Sequence, residues 1–212
     1  MNKKTKSIIQ SKFPIILASK SESRLKILQE TGIDFIQLKS NIDESLVKEK
    51  YKKKNANFIA TKLAETKALF ISRENRKSYV IGADQICISK GKIFSKPKNK
   101  KKAIEQLSEL NGKTHKLISA FSICYDNQVV YSNVEEVKLK MRKLSKKSIK
   151  DYVEIDLPIS SCGSYRFEAN GKYLFSDVVG NNSTILGLPI LPLIAFFLFL
   201  GFENIFPSLI HI

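Results

Sequence analysis

The sequence predicts a mixed α/β fold, with a twisted sheet flanked by helices and two lobes around a central cleft. Three observations predict it: 43% of the 212 residues are hydrophobic, short apolar runs alternate with amphipathic helical stretches, and glycine (9) and proline (6) are scarce. The apolar content excludes a disordered chain, and the few glycines and prolines exclude collagen-like and low-complexity classes. The length suits one domain, so we expect a basic tail over residues 1–12 and a single domain over 13–212.

Strands and helices alternate in the first half of the sequence. Residues 15–18 form a short apolar run that is typical of a buried strand, and a serine-rich turn leads into a helix over 24–31 that Gly32 ends. Apolar residues recurring on one face predict a second helix over 57–72. The other elements expected here are a strand over 35–38, a loop over 41–44 and one β-rich run over 79–88.

The second half predicts a hairpin, two more amphipathic helices and an apolar C-terminal helix. Tyr125-Asp126-Asn127 separates two β-rich runs, 116–124 and 128–132, and so indicates a hairpin. The remaining elements expected are strands over 92–94, 134–141, 162–167 and 172–175, with helices over 101–110 and 145–154, the latter capped by Ser145. The uncharged stretch 185–202 predicts a buried helix from Pro192 to residue 200, stopped by Gly201, rather than a membrane span.

Charge and cysteine content narrow the cellular setting. The 36 Lys and Arg against 20 Asp and Glu leave a formal net charge of +16, with lysines clustered in 48–54, 96–102 and 138–150. These clusters lack interleaved aromatic residues, which favours solvated faces over a nucleic-acid surface, while a site for a polyanionic small molecule stays open. Three cysteines without a CxxC pair argue against a disulfide framework and for a reducing compartment, so we expect a cytoplasmic protein.

Common catalytic motifs are absent, but charged residues stand at structurally marked places. The sequence has no phosphate-binding GxxxxGK[ST] loop, and its two histidines argue against a zinc site and a Ser-His-Asp triad. Ser19 and Ser21 lie on a strand-to-helix turn, where backbone N–H groups and the helix dipole favour an anion. Asp84 interrupts an apolar strand and needs a cation or metal beside it. The other candidates are Arg24, Asp43, Glu44, Lys67 and Lys96. Carboxylates, lysines and an arginine without a nucleophile suit metal-assisted hydrolysis of phosphoanhydrides.

An ordered set of short blocks extends over residues 15–202 and resembles the Maf family of nucleotide pyrophosphatases, also called septum-formation-inhibitor Maf proteins. The blocks are Leu17-Ala18-Ser19-Lys20-Ser21 with Arg24, Asp43-Glu44, Leu63-Ala64-Glu65-Thr66-Lys67-Ala68, Ile81-Gly82-Ala83-Asp84-Gln85, Lys96-Pro97, Leu110-Asn111-Gly112, Cys162-Gly163-Ser164-Tyr165 and Gly187-Leu188-Pro189. The resemblance implies a fold related to the inosine triphosphatase-like (Maf/Ham1) fold, a homodimer, and hydrolysis of a nucleoside triphosphate to the monophosphate and pyrophosphate with Mg²⁺ or Mn²⁺.

The resemblance also implies a role for each matched residue. Asp84 corresponds to the proton acceptor that activates water, and it would hold the metal together with Glu44. Lys67 and Lys96 would act on the triphosphate as further catalytic residues, and Ser19 and Arg24 would bind it. Family members usually read Ser-Pro-Arg-Arg after the first serine, whereas this chain reads Ser21-Glu22-Ser23-Arg24-Leu25, so one expected arginine is missing.

Three positions look like determinants of the base: Ser23, Gln85 and Glu168. Gln85 and Glu168 match the 7-methyl-GTP branch of the family, while Ser23 stands where that branch often has Trp. A carboxylate at 168 accepts hydrogen bonds from the two adjacent donors of guanine, N1–H and the 2-amino group. The sequence therefore favours 7-methyl-GTP as substrate. The alternatives are a dTTP or UTP pyrophosphatase of the same family or, from another class, a basic nucleic-acid-binding or division-regulating protein.

Overall fold

A seven-stranded mixed sheet organises the chain in this computed structural model, which describes residues 13–201 and the backbone of 9–10 and 203–204. The strand order is β3-β2-β4-β6-β7-β8, β5 pairs with β4, and β1 forms a separate antiparallel pair with β9. The strands are β1 (Ile9–Gln10), β2 (Ile15–Ala18), β3 (Ile36–Leu38), β4 (Tyr79–Ser89), β5 (Lys92–Phe94), β6 (Thr114–Tyr125), β7 (Gln128–Met141), β8 (Phe175–Val179) and β9 (Glu203–Asn204). The helices are α1 (Glu22–Glu30), α2 (Glu44–Lys50), α3 (Ala56–Ser72), α4 (Lys100–Leu110), α5 (Lys146–Asp156), α6 (Asn182–Ile185) and α7 (Ile190–Phe199).

The chain divides into two units, and β4, β6 and β7 contribute residues to both. The first unit takes the residues up to 84, 120–134 and those from 187 on, and the second takes 85–119 and 135–186. In the first unit β2 pairs in parallel with both β3 and β4. All four residues of β2 are buried, which explains its uninterrupted apolar sequence, since parallel strands are covered on both faces.

The second unit has its own core. An antiparallel hairpin joins β4 to β5 through Lys90 and Gly91, whose φ angles of 49° and 80° are both left-handed. Helices α4 and α5 pack against each other. The buried apolar residues of this core include Leu107, Leu110, Leu139, Val153 and Tyr165. The amphipathic patterns of the two helices therefore bury one stripe each, as the sequence predicts.

The mixed α/β fold is confirmed, and most predicted elements are present. The strands over 15–18 and 92–94 have the predicted bounds, and Ser145 caps α5 by accepting a hydrogen bond from the N–H of Ser148 at 3.0 Å. Asp126 and Asn127 have φ angles of 47° and 59° and form the two-residue hairpin turn. The strands predicted over 128–132 and 134–141 are one continuous strand, β7. The division into a tail over 1–12 and a domain over 13–212 stays a prediction.

The strands predicted over 162–167 and 172–175 are wrong. After a first 3₁₀ helix over Pro158–Ser160, the chain forms two more in the predicted strand regions, Cys162–Ser164 and Asn170–Leu174, before β8 begins at Phe175. Gly163 and Ser164 have φ angles of 75° and 63°, and this left-handed conformation cannot continue a strand. The apolar residues of this segment are buried by a compact turn structure, which hydrophobicity alone does not distinguish from a strand.

Two further expectations need correction. Helix α2 begins at Glu44, inside the loop predicted over 41–44. The Asp43 carboxylate caps this helix by accepting a hydrogen bond from the N–H of Ser45 at 2.9 Å. Helix α7 begins at Ile190, before Pro192, and only one of its faces is buried: Leu191 is 67% exposed and Phe199 88%. Within the described residues, the structure has no helix with the length and hydropathy of a membrane span.

Candidate active site

Three charged side chains of the first unit converge on one point. The Lys67 ammonium donates a hydrogen bond to Oδ1 of Asp84 at 2.6 Å, and it lies 2.8 Å from Oε1 of Glu44. The side chains of Lys67 and Asp84 are each only 9% exposed. The cluster contains two carboxylates and one ammonium group, so it carries a formal charge of −1. The cation that the sequence required beside Asp84 is therefore Lys67.

Gly82 brings Lys67 to Asp84 by letting helix α3 approach strand β4 closely. A Cβ atom at Gly82 would lie 2.1 Å from the carbonyl oxygen of Ala64 and 2.6 Å from the amide nitrogen of Ala68, both of which are backbone atoms. Lys67 stands between these two alanines on the same buried helix face. Only a residue without a side chain permits this approach. The close contact places the Lys67 ammonium at Asp84, which lies two residues after Gly82 in β4.

Glu44 reaches the cluster from the first turn of α2. This position favours an acidic residue, because the helix dipole is positive at its N-terminus. Its second oxygen, Oε2, accepts a hydrogen bond from the ammonium of Lys48 at 3.2 Å. Burial by itself raises the pKa of Glu44, but the ammonium groups of Lys67 and Lys48 outweigh that effect and hold the pKa at about 2. Glu44 is therefore a carboxylate throughout the physiological pH range.

The turn between β2 and α1 supplies the predicted anion-binding residues. Ser19 is buried, and its hydroxyl oxygen accepts a hydrogen bond from the N–H of Ser21 at 3.2 Å. Ser21 caps α1. Arg24, one turn into the helix, donates from Nε to the carbonyl of Gly187 at 2.8 Å and from Nη1 to the carbonyl of Ala83 at 3.0 Å. Because Ala83 directly precedes Asp84 in β4, this second hydrogen bond anchors Arg24 beside Asp84.

The three predicted determinants of the base occupy different environments. Ser23 is half-buried in the first turn of α1. In the second unit, the Gln85 amide nitrogen donates to Ser119 Oγ at 2.8 Å and to the carbonyls of Thr184 and Ile185 at 3.0 and 2.9 Å. Its oxygen accepts from the Cys162 thiol at 3.2 Å. Gln85 therefore joins segments of its own unit.

Glu168 and Lys96, also in the second unit, are both exposed. Nε of Arg166 lies 3.5 Å from Oε1 of Glu168, which is the long end of the range for such a contact. Lys96 is followed by Pro97, whose side chain is buried. Lys96 is accessible to a ligand, and the Glu168 side chain, beside Arg166, is 31% exposed.

One residue that the sequence analysis missed is Gln106. It lies on the buried face of α4 and is only 8% exposed; its amide nitrogen donates to the Ser95 carbonyl, and its oxygen accepts from the Ser164 hydroxyl. Its spacing in the sequence could have revealed it. Gln106 is three residues after Ala103, on the helix face that otherwise carries small or apolar residues. A polar side chain in such a position needs partners, and one of them, Ser95, directly precedes the predicted site residue Lys96.

The carboxylates of the cluster fit a divalent cation that is shared with a substrate. Among the described residues, no group of three or more His, Cys, Asp or Glu side chains could hold a metal ion by itself. However, Mg²⁺ is usually bound by one or two carboxylates together with substrate phosphates. Asp84 and Glu44 direct one oxygen each at the same point, now taken by the Lys67 ammonium, so they match this mode of binding.

The lysine-rich clusters are partly neutralised by acidic residues close to them. Lys52 pairs with Glu49, Lys102 with Glu105 at 2.9 Å, and Lys147 with Asp151 at 2.6 Å. All of these side chains are exposed. The pairs show that these lysines lie on solvated faces of the protein.

Comparison with known proteins gives consistent results over most of the chain. The family model described as Maf-like protein matches residues 14–198. The nucleoside triphosphate pyrophosphatase of Legionella pneumophila (strain Corby) is 39% identical over 181 residues, which cover 85% of this chain and 90% of the relative. The protein of the same name from Bradyrhizobium diazoefficiens is 36% identical over 189 residues, covering 88% and 94%. Among solved structures, the Ham1 protein of Staphylococcus aureus matches with a TM-score of 0.35 at 14% identity, covering 63% of this chain and 72% of that chain.

Proposed function

Because the chain belongs to the Maf family, whose matched relatives are nucleoside triphosphate pyrophosphatases, we propose that the cluster of Lys67, Asp84 and Glu44 is the catalytic centre of such an enzyme. The family that the sequence blocks predict is confirmed, and so is the class of enzyme, a hydrolase acting on acid anhydrides. The observation that carries the proposal is a buried ammonium group between two carboxylates, in the same unit as Ser19 and Arg24.

In the proposed reaction, water attacks the triphosphate and the bond between the α- and β-phosphates breaks. The products are the nucleoside monophosphate and pyrophosphate, and the attacking water gives up a proton. Asp84 accepts this proton as general base. Its place beside Lys67 fixes the carboxylate before the substrate arrives, and a fixed base within hydrogen-bond reach of the water accelerates the attack.

The cations of the site act on the phosphate groups. Lys67 has three N–H donors, so a phosphate oxygen can take the place of one of its carboxylate partners. The guanidinium of Arg24 uses two of its five donors for backbone carbonyls and keeps others for the substrate. Ser19 and the N–H groups at the start of α1 stand where an anion is favoured. Lys96 adds a further positive charge on the triphosphate.

A divalent cation, Mg²⁺ or Mn²⁺, would be held by Asp84 and Glu44. It would neutralise the negative charge of the triphosphate and of the transition state. The low pKa of Glu44 supports this assignment, because a metal ligand has to be deprotonated. Dialysis against a chelator should abolish pyrophosphate release, and adding back either cation should restore it. Full activity after chelation would contradict the assignment.

For the substrate we propose 7-methyl-GTP. Support comes from Glu168, an exposed carboxylate that can accept from both guanine donors, and the positive charge of N7-methylated guanine strengthens such bonds. Gln85 contributes by joining Ser119, Thr184 and Ile185 in the second unit. The alternative is a preference for dTTP or UTP. Pyrophosphate release from 7-methyl-GTP, GTP, UTP and dTTP, with and without Mn²⁺, distinguishes the two.

We also propose that the enzyme is a cytoplasmic homodimer. All three cysteines are free thiols, which suits a reducing compartment. The exposed apolar side chains of α7, among them Leu191 and Phe199, are the kind of surface that subunit interfaces cover. Light scattering coupled to size-exclusion chromatography measures the oligomeric state, and a monomer at micromolar concentration would contradict the proposal.

A further inference from the structure

The loop that carries Lys96 is held on one side by a proline. Residues 95–99 connect β5 to α4. The Pro97 ring locks its own φ angle and restricts Lys96 to extended backbone conformations, and Pro97 is buried. A lysine side chain has a flexible four-carbon stem, so the place of its ammonium depends on how well its backbone is fixed. Pro97 supplies that restraint only on the C-terminal side of Lys96.

The restraint on the N-terminal side comes from Gln106. Its Nε2 donates a hydrogen bond of 2.9 Å to the carbonyl of Ser95, the carbonyl of the peptide group that joins Ser95 to Lys96. Phe94, one residue earlier, is buried at 3% exposure. The peptide plane before Lys96 is therefore fixed by a side chain from α4, and the residue after Lys96 is fixed by its own ring.

The orientation of the Gln106 amide is determined by both of its partners. The Ser95 carbonyl can only accept, so it requires the NH₂ end of the amide. The Gln106 oxygen then accepts from the Ser164 hydroxyl at 2.6 Å. Ser164 is fully buried, with a left-handed φ of 63°. Burying an amide among apolar residues is costly, and each of these two hydrogen bonds offsets part of that cost, while the Ser95 bond alone fixes the peptide group before Lys96.

We propose that Gln106 is a positioning residue for the reaction, acting on the triphosphate only through the Ser95 carbonyl and Lys96. This inference rests on the role of Lys96 in the proposed function. Gln106 has no contact with the substrate in this scheme. An apolar side chain of the same length would leave the Ser95 carbonyl without its partner, and the loop would relax. The Lys96 ammonium would then spend less time at the phosphates.

A double-mutant cycle between Gln106 and Lys96 tests this inference. Gln106→Met keeps length and helix propensity but removes the donor, and we expect kcat/KM to fall by about tenfold to a hundredfold for every nucleotide substrate. In a Lys96→Ala background the same change should cause no further loss. Ser164→Ala is the matched control, because it breaks only the other hydrogen bond of the same amide and should retain activity within about threefold. Thermal unfolding of all variants should show that Gln106→Met changes stability equally in both backgrounds.

Two results would overturn the positioning role of Gln106 and leave the proposed function intact. One is an unchanged kcat/KM in a folded Gln106→Met variant. The other is a double variant whose loss of kcat/KM equals the product of the losses in Gln106→Met and Lys96→Ala. Wild-type activity of Lys96→Ala would instead remove Lys96 from the phosphate site, and would overturn that part of the proposed function together with this inference. The Lys96 single variant therefore distinguishes a failure of the premise from a failure of the positioning role.

Discussion

Replacing Lys67 by Met should destabilise the protein most at neutral pH, because the buried carboxylate of Asp84 and the partly exposed one of Glu44 then lose their shared cation. Asp84 Oδ1 and Glu44 Oε1 lie 2.6 and 2.8 Å from the ammonium nitrogen, so they are at most 5.4 Å apart. At an effective dielectric constant of about 20, two charges at that distance repel by roughly 3 kcal/mol. Methionine has nearly the length of lysine, so packing is largely conserved and the change is chiefly electrostatic.

The pH dependence follows from Glu44. Its pKa is lowered from 4.5 to about 2, which by linkage corresponds to about 3 kcal/mol of stabilisation, fully present above pH 4.5 and lost as the pH falls through 2. Because the Glu44 side chain is 37% exposed, solvent screening reduces this contribution to about 1–2 kcal/mol. The Lys67→Met variant lacks most of this stabilisation. The difference in unfolding free energy from wild type should therefore be about 2 kcal/mol or more at pH 7, and should narrow as the pH falls from 4.5 towards 2.

Urea unfolding of wild type and Lys67→Met between pH 7 and pH 3 measures this difference. Lys48→Met is the matched control, since Lys48 lies farther from Glu44, at 3.2 Å, and its side chain is 43% exposed. It should change the unfolding free energy by less than about 0.5 kcal/mol. A loss in Lys67→Met that is the same at every pH, or one equal to that of Lys48→Met, would refute the electrostatic account of the cluster.

Three other substitutions test the site. Asp84→Asn should fold and lose turnover by about a hundredfold or more, as measured by pyrophosphate release, because the amide cannot accept the proton; near wild-type rates would remove Asp84 as the base. Glu168→Gln should lower kcat/KM for 7-methyl-GTP more than for UTP, because one guanine donor then faces an amide NH₂ group, and an unchanged ratio would exclude Glu168 from the base site. Gly82→Ala should lower the unfolding free energy by about 2–3 kcal/mol and impair turnover, since its Cβ would clash with the α3 backbone. Gly91→Ala, where nothing lies within 4 Å, should cost only about 1 kcal/mol for its φ of 80°.

The sequence by itself determined the elements whose hydrophobic pattern is local. The strand over 15–18 is recognisable because parallel strands buried on both faces need an uninterrupted apolar run, and the helix over 57–72 because one of its faces repeats with the helical period. The sequence also predicted that Asp84 requires a cation, because a carboxylate in an apolar strand is too costly to bury alone. The ordered blocks predicted the family, which the comparisons confirm.

Backbone conformation limited the prediction in the second unit. Residues 162–167 and 172–175 have the composition of strands, yet the left-handed φ angles at Gly163 and Ser164 turn the chain there. This segment consists of short 3₁₀ helices and turns that bury apolar side chains. An apolar residue buried in a turn gives the same hydrophobic pattern in the sequence as one buried in a strand. Gln106 was missed for a related reason, because its partners Ser95 and Ser164 come from segments far apart in sequence.

Only the tertiary structure decided which cation neutralises Asp84. Lys67 is 17 residues from Asp84 along the chain, and the family resemblance implied a role for each of them without pairing them. The choice depends on the approach of α3 to β4 at Gly82, a contact between backbone atoms that leaves no trace in hydrophobic periodicity. Local propensity determines where a helix or strand forms, whereas the partners of a buried charge are determined by how closely distant elements can pack.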